Sequence, residues 1–202
     1  LHIWMNSFKT IKAPSEGIYK EKGSKFIAFA IPTNSELQFK EGLSRIKKEY
    51  HDAGHHCYGF SIGPEGKLYR YSDDGEPNNS AGKPIYGQLL SFGVTNVTII
   101  VIRYFGGTKL GVGGLITAYK EAAKDALNNA VIIEKEITES LTIDFKYESM
   151  NAIMGLVKSF DLEIVEQRFE LDCMIKLNCP KRNKLQLEDK LKLIQNINFK
   201  FC

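Results

Sequence analysis

The chain has 202 residues, of which 43% are hydrophobic and 25% charged, an ordinary balance for a folded globular protein. The net charge of +3 excludes nucleic-acid binding through bulk charge, so any basic surface must come from local clustering. No apolar run approaches the length of a membrane span.

The four cysteines, Cys57, Cys173, Cys179 and Cys202, form no Cys-x-x-Cys pair, which predicts reduced thiols in a cytoplasmic protein. The opening Leu1-His-Ile-Trp-Met5 is no signal peptide, because polar Asn6 and Lys9 interrupt it. Met5 is the expected natural start.

In chain order, Lys25–Ile31 predicts a strand and Pro32–Ser35 a turn and helix cap. Glu36–Tyr50 repeats apolar residues near helical spacing. His55–Ile62 and Lys67–Ser72 read as strands around the turn Gly63–Gly66. Asp73–Gly82 is a polar loop, and Pro84–Phe92 a short helix. The β-branched run Val97–Ile102 predicts a buried strand. A glycine-rich turn follows, then a helix over Ile116–Ala130 whose alanine face permits close packing on a sheet. Beyond residue 138 the predicted order is strand (141–147), helix (148–160), strand (162–169), strand (171–177), helix (180–195), strand (198–202). That is the split βαβ pattern of a ferredoxin-like domain.

Two segments carry candidate chemistry. The first is Arg103-Tyr-Phe-Gly-Gly-Thr-Lys-Leu-Gly-Val-Gly-Gly-Leu115. Glycines there let a ligand approach the main chain, and amides before a helix suit an anion. Arg103 and Lys109 add positive charge, Tyr104 or Phe105 could stack on a base, and Gly106, Gly107, Gly111, Gly113 and Gly114 shape the turn. The alternative is a tight turn serving helix–sheet packing. Neither a Walker loop nor a dinucleotide fingerprint fits the spacing, so no cofactor is expected.

The second segment is Ser72–Gly82, where Asp73, Asp74 and Glu76 could hold Mg²⁺, move protons, or pair with Arg103 or Lys109. It could equally be a plain surface loop. His51, His55, His56 and Cys57 are the only histidine cluster, but adjacent strand residues face opposite ways, so no metal site is expected. Lys181, Arg182 and Lys184 open the last helix, either as a solvated face or as phosphate contacts.

The motifs Asp73-Asp-Gly-Glu-Pro77 with Ala81-Gly-Lys-Pro-Ile85, and Arg103-Tyr-Phe-Gly-Gly107 with Lys109-Leu-Gly111, Gly113-Gly-Leu115 and Ala118-Tyr119, resemble the YigZ/Impact family. Lys22-Gly-Ser-Lys-Phe26 and His55-His-Cys-Tyr58 match further family positions. Asn78-Asn79-Ser80 departs from it, where the family favours Ser/Gly-Gly-Thr. The resemblance implies an α+β chain. A two-layer α/β domain of the ribosomal-protein/GHMP-kinase type would span residues 5–134. A ferredoxin-like domain, similar to one in elongation factor G, would span 138–202.

The resemblance marks a family-motif loop of His55, Tyr58, Asp73, Asp74, Gly75, Glu76, Pro77, Ala81 and Gly82. It implies a cytoplasmic regulator of translation or stress that binds RNA, the ribosome or a protein partner through the glycine turn. No membrane partner and no DNA specificity are implied. The residues leave catalysis open, and the alternative is a Mg²⁺-dependent enzyme acting on a phosphorylated small molecule.

Overall fold

The computed structural model describes residues 6–170 and 172–202; the expectation for Met5 lies outside them. Residues Phe8–Lys135 form one compact unit, and Glu136–Cys202, with Asn6 and Ser7, form another.

The first unit is built on a five-stranded sheet. Its strand order is β2 (Ser15–Glu21), β3 (Ser24–Pro32), β6 (Val97–Tyr104), β4 (His55–Ile62), β5 (Leu68–Ser72), and every neighbour is antiparallel. The central strand is apolar on both faces, so both faces must be covered. Val97, Ile99 and Val101 pack with Phe26, Ala28 and Ala30 under α2 (Gly82–Phe92) and α3 (Gly111–Asn128). Ile100 and Ile102 pack with Ile27, Phe29 and Ile46 on the opposite face, where α1 (Glu36–Glu49) lies. The unit therefore has three layers rather than the expected two. The unbroken run at 97–102 is the signature of a strand buried on both sides.

Ser35 caps α1 by accepting from the Gln38 amide at 3.3 Å. Helix α3 starts at Gly111, five residues before the expected Ile116. Thus Gly113 and Gly114 belong to a helical turn, since glycine disfavours a helix without barring it, and Gly111 opens that turn in the left-handed region at φ 70°. Three strands were not legible: β2, and the short pair β1 (Ser7–Ile11) and β7 (Ile132–Glu136), which form a sheet of their own.

The second unit has strand order β11 (Ile197–Phe201), β8 (Thr138–Phe145), β10 (Cys173–Pro180), β9 (Glu163–Phe169), again all antiparallel. Leu141, Ile143, Phe145, Ile175 and Leu177 share one core with residues of α4 (Met150–Ser159) and α5 (Lys184–Leu191). Helix α5 is shorter than expected, because residues 181–183 form a 3-10 turn. No described helix is long and apolar enough to cross a membrane.

Candidate functional site

The polar loop and the glycine-rich segment meet. Arg103 ends the buried run of β6, and its side chain lies on the α2/α3 face. Its Nη1 donates to Glu76 Oε1 at 2.6 Å, with the two side chains 8% and 4% exposed. The Tyr119 hydroxyl of α3 donates to the same oxygen at 2.8 Å. The guanidinium also lies 5.5 Å from the Phe26 ring centroid and 5.6 Å from that of Phe105. One buried carboxylate thus ties the loop to β6 and α3.

The other carboxylates are engaged too. Asp73 accepts from the amides of Asn79, Ala81 and Gly82 at 2.8 to 2.9 Å. It therefore occupies the N-terminus of α2, where a negative charge is favoured. Asp74, at φ 41°, accepts from the His56 amide at 2.7 Å and lies 3.4 Å from Lys47 Nζ. Ser80 is buried and donates to the Pro77 carbonyl at 2.6 Å.

His55 and His56 point to opposite faces, as strand alternation requires. His55 Nδ1 is 2.9 Å from the Asp74 carbonyl, so that nitrogen donates, and its Nε2 lies 3.8 Å from Glu76. His56 Nε2 donates to the Tyr50 carbonyl at 3.0 Å, at the end of α1. Tyr58 packs against Phe39 on that same side. The Cys57 thiol donates to the Asp73 carbonyl at 3.0 Å. Burial, then the neighbouring Glu76, Asp74 and Asp73 carboxylates, push it well above the ordinary thiol range, against the lowering effect of its bond with Tyr119. Burial likewise pushes the Tyr119 phenol up, reinforced by Cys57 and Glu76. A buried neutral thiol of this kind is a poor nucleophile.

The expected phosphate contacts separate into two groups. Arg103 is buried and paired, so it organises the site and does not meet solvent. Tyr104 turns to the α1 face and donates to Asp52 at 2.8 Å. Phe105 is 60% exposed, held by its contact with Arg103. Gly107, Lys109, Gly111 and Gly113 are exposed.

The glycines divide in the same way. A methyl group at Gly106 would sit inside the backbone of Gly23 and Ser24, and the Gly106 amide donates to the Ser24 hydroxyl at 3.1 Å. Gly106 is therefore required by packing, but against the turn between β2 and β3 rather than between a helix and the sheet. Gly113 has open space around its missing side chain and no positive φ. Helix α3 has no side-chain cap and no acidic residue in its first turn.

A family model, the Impact N-terminal domain, matches residues 22–127. The chain belongs to the Impact family. It is 30% identical to the IMPACT family member YigZ of Escherichia coli over 93% of each chain. It is 31% identical to the IMPACT family member YvyE of Bacillus subtilis, over 74% of this chain and 69% of that one. A Saccharomyces cerevisiae protein IMPACT homolog is 31% identical over 45% of this chain and 36% of its own length. A solved structure titled "Crystal structure of an hypothetical protein" superposes with a TM-score of 0.76 at 29% identity, covering 96% of this chain and 97% of that one.

Tyr119 is the residue that sequence reasoning left outside the site. A phenol on the alanine face of α3 must find a polar partner once buried, and that signal was present. Lys181, Arg182 and Lys184 open α5's segment in the second unit; Arg182 pairs with Glu136 and Lys184 with Glu139.

Proposed function

We propose that this Impact-family protein is a non-enzymatic cytoplasmic regulator of translation. It binds RNA through an edge made of Phe105, Lys109 and the first turn of α3. The observation that carries this reading is Gly113. It lies in a helix, exposed, with nothing within 4 Å of the position a Cβ would take. Glycine there costs about 0.5–1 kcal/mol relative to alanine, and neither packing nor backbone angle requires it. An open position in an uncapped first turn leaves the α3 amides within reach of a ligand. Phe105 supports the same edge, because one ring face is fixed over Arg103 while the side chain stays open for a base.

The two fold types suggested by the family resemblance, ribosomal-protein/GHMP-kinase and ferredoxin-like, fit a partner in the translation machinery. A Mg²⁺-dependent reaction would instead need Asp73, Asp74 or Glu76 to leave the amides, lysine and arginine that hold them.

Fluorescence anisotropy with a short labelled single-stranded RNA tests the reading. Wild type should bind with a steep salt dependence. Phe105→Ala should lose roughly 5- to 150-fold, the loss of one stacked base at about 1–3 kcal/mol. Equal affinity in Phe105→Ala, Lys109→Ala and wild type would reject this edge.

A further inference from the structure

We propose that the tip of the β2–β3 hairpin supplies the phosphate-contacting cations of this RNA edge, with Lys20, Lys22 and Lys25 each meeting a phosphodiester of a single strand. This rests on the RNA reading above and assigns the charge that Arg103, buried on Glu76, does not supply.

Lys20 stands directly opposite Lys25 across the β2–β3 ladder. Like charges facing each other in a sheet oppose folding. No acid relieves the pair: among the described residues, none of the three lysines takes part in an ion pair. The one acid in the hairpin tip, Glu21, is one residue on from Lys20 and so lies on the other face, where it accepts the Tyr19 hydroxyl at 3.3 Å. Asp52 is held by the Tyr104 hydroxyl. Lys22 adds a third cation at the turn, in the left-handed region at φ 45°.

The tip is also fixed to the glycine-rich segment. Gly23 follows Lys22, Gly106 follows Phe105, and the two glycines pack backbone on backbone. Lys25 is paired with Tyr104 across β3 and β6. Three exposed lysines therefore line an open hollow of about 430 Å³ formed by residues 20–25, on a rim beside the Gly106 backbone that follows the stacking residue. A phosphate backbone along that rim would relieve the Lys20–Lys25 repulsion. A free ammonium makes a suitable point-charge partner for phosphate.

The test uses the full chain and a short labelled single-stranded RNA, titrated across salt. The Lys20→Gln, Lys22→Gln, Lys25→Gln triple variant is compared with the corresponding triple arginine variant and with wild type. Each phosphate contact on a single strand contributes about 0.7 to the salt slope. Losing three should flatten the slope by about 2 and weaken binding about 100-fold at about 0.1 M salt. The arginine variant should bind like wild type. Unchanged affinity and slope in the glutamine variant, with binding still lost in Phe105→Ala, would overturn the hairpin assignment and leave the RNA reading standing. Absence of RNA binding by wild type would overturn both.

Discussion

Removing either partner of the Glu76–Arg103 pair should strongly destabilise the Phe8–Lys135 unit. The nitrogen–oxygen distance is 2.6 Å and the side chains are 8% and 4% exposed, so water cannot replace the lost partner. Arg103→Met leaves a buried carboxylate with only the Tyr119 hydroxyl bonded to it and His55 at 3.8 Å. Glu76→Leu leaves a buried guanidinium whose Nε already lacks a partner. Each single change should cost about 3–5 kcal/mol, the usual penalty for an orphaned buried charge. The double variant Glu76→Leu with Arg103→Met orphans no charge and leaves only the Tyr119 hydroxyl without its acceptor, at about 1–3 kcal/mol. Its cost should therefore fall short of the summed singles by at least about 2 kcal/mol. Equilibrium urea unfolding, with amide exchange in β4 and β6 as the local readout, measures the cycle. Singles below about 1 kcal/mol, or strict additivity, would refute the view that this pair welds the two segments.

The glycines make an opposed pair: Gly106→Ala should cost about 1–3 kcal/mol or more because the methyl would overlap Gly23 and Ser24, whereas Gly113→Ala should raise stability by about 0.5–1 kcal/mol. Thermal melts decide this, and a destabilised Gly113→Ala would contradict its open surroundings. Alkaline stability should follow Cys57 and Tyr119, whose folded pKa values lie above their ordinary values of 9.0 and 10.0. Above those values the unfolded chain loses protons that the folded chain keeps, so stability falls with rising pH by about 1.4 kcal/mol per pH unit per group. Tyr119→Phe should make the decline above pH 10 shallower by that amount, and an unchanged slope would count against the buried phenol. Finally, Cys57, Cys173 and Cys179 are buried and Cys202 is exposed, so a thiol reagent should modify one cysteine quickly in the native protein and all four only after denaturation. Rapid labelling of Cys57 would show that its site opens.

Where the chain's apolar pattern was strong, the sequence sufficed. His55–Ile62 and the helix from Glu36 were placed to within a residue, because alternation and helical spacing there report burial directly. The start of α3 was missed because five closely spaced glycines look like a turn, although Gly111 alone among the last three takes a positive φ. β1 and β7 were missed because five-residue strands pairing mainly with each other carry little periodic signal. In the site, the convergence of Asp73–Gly82 with Arg103 was anticipated as one option. The division of labour was not. Burial turned Arg103 inward onto Glu76 and left Phe105 and Lys109 outside, and that choice depends on the packing of Phe26 and Tyr119 around the guanidinium. Nothing in the linear order fixes it.

Ultraviolet crosslinking of single-stranded RNA to the full chain, mapped by mass spectrometry of tryptic peptides, addresses the RNA edge at residue resolution. The adduct should fall on the peptide of residues 104–109, which carries Phe105. Adducts confined to the second unit, or none above background, would contradict the account.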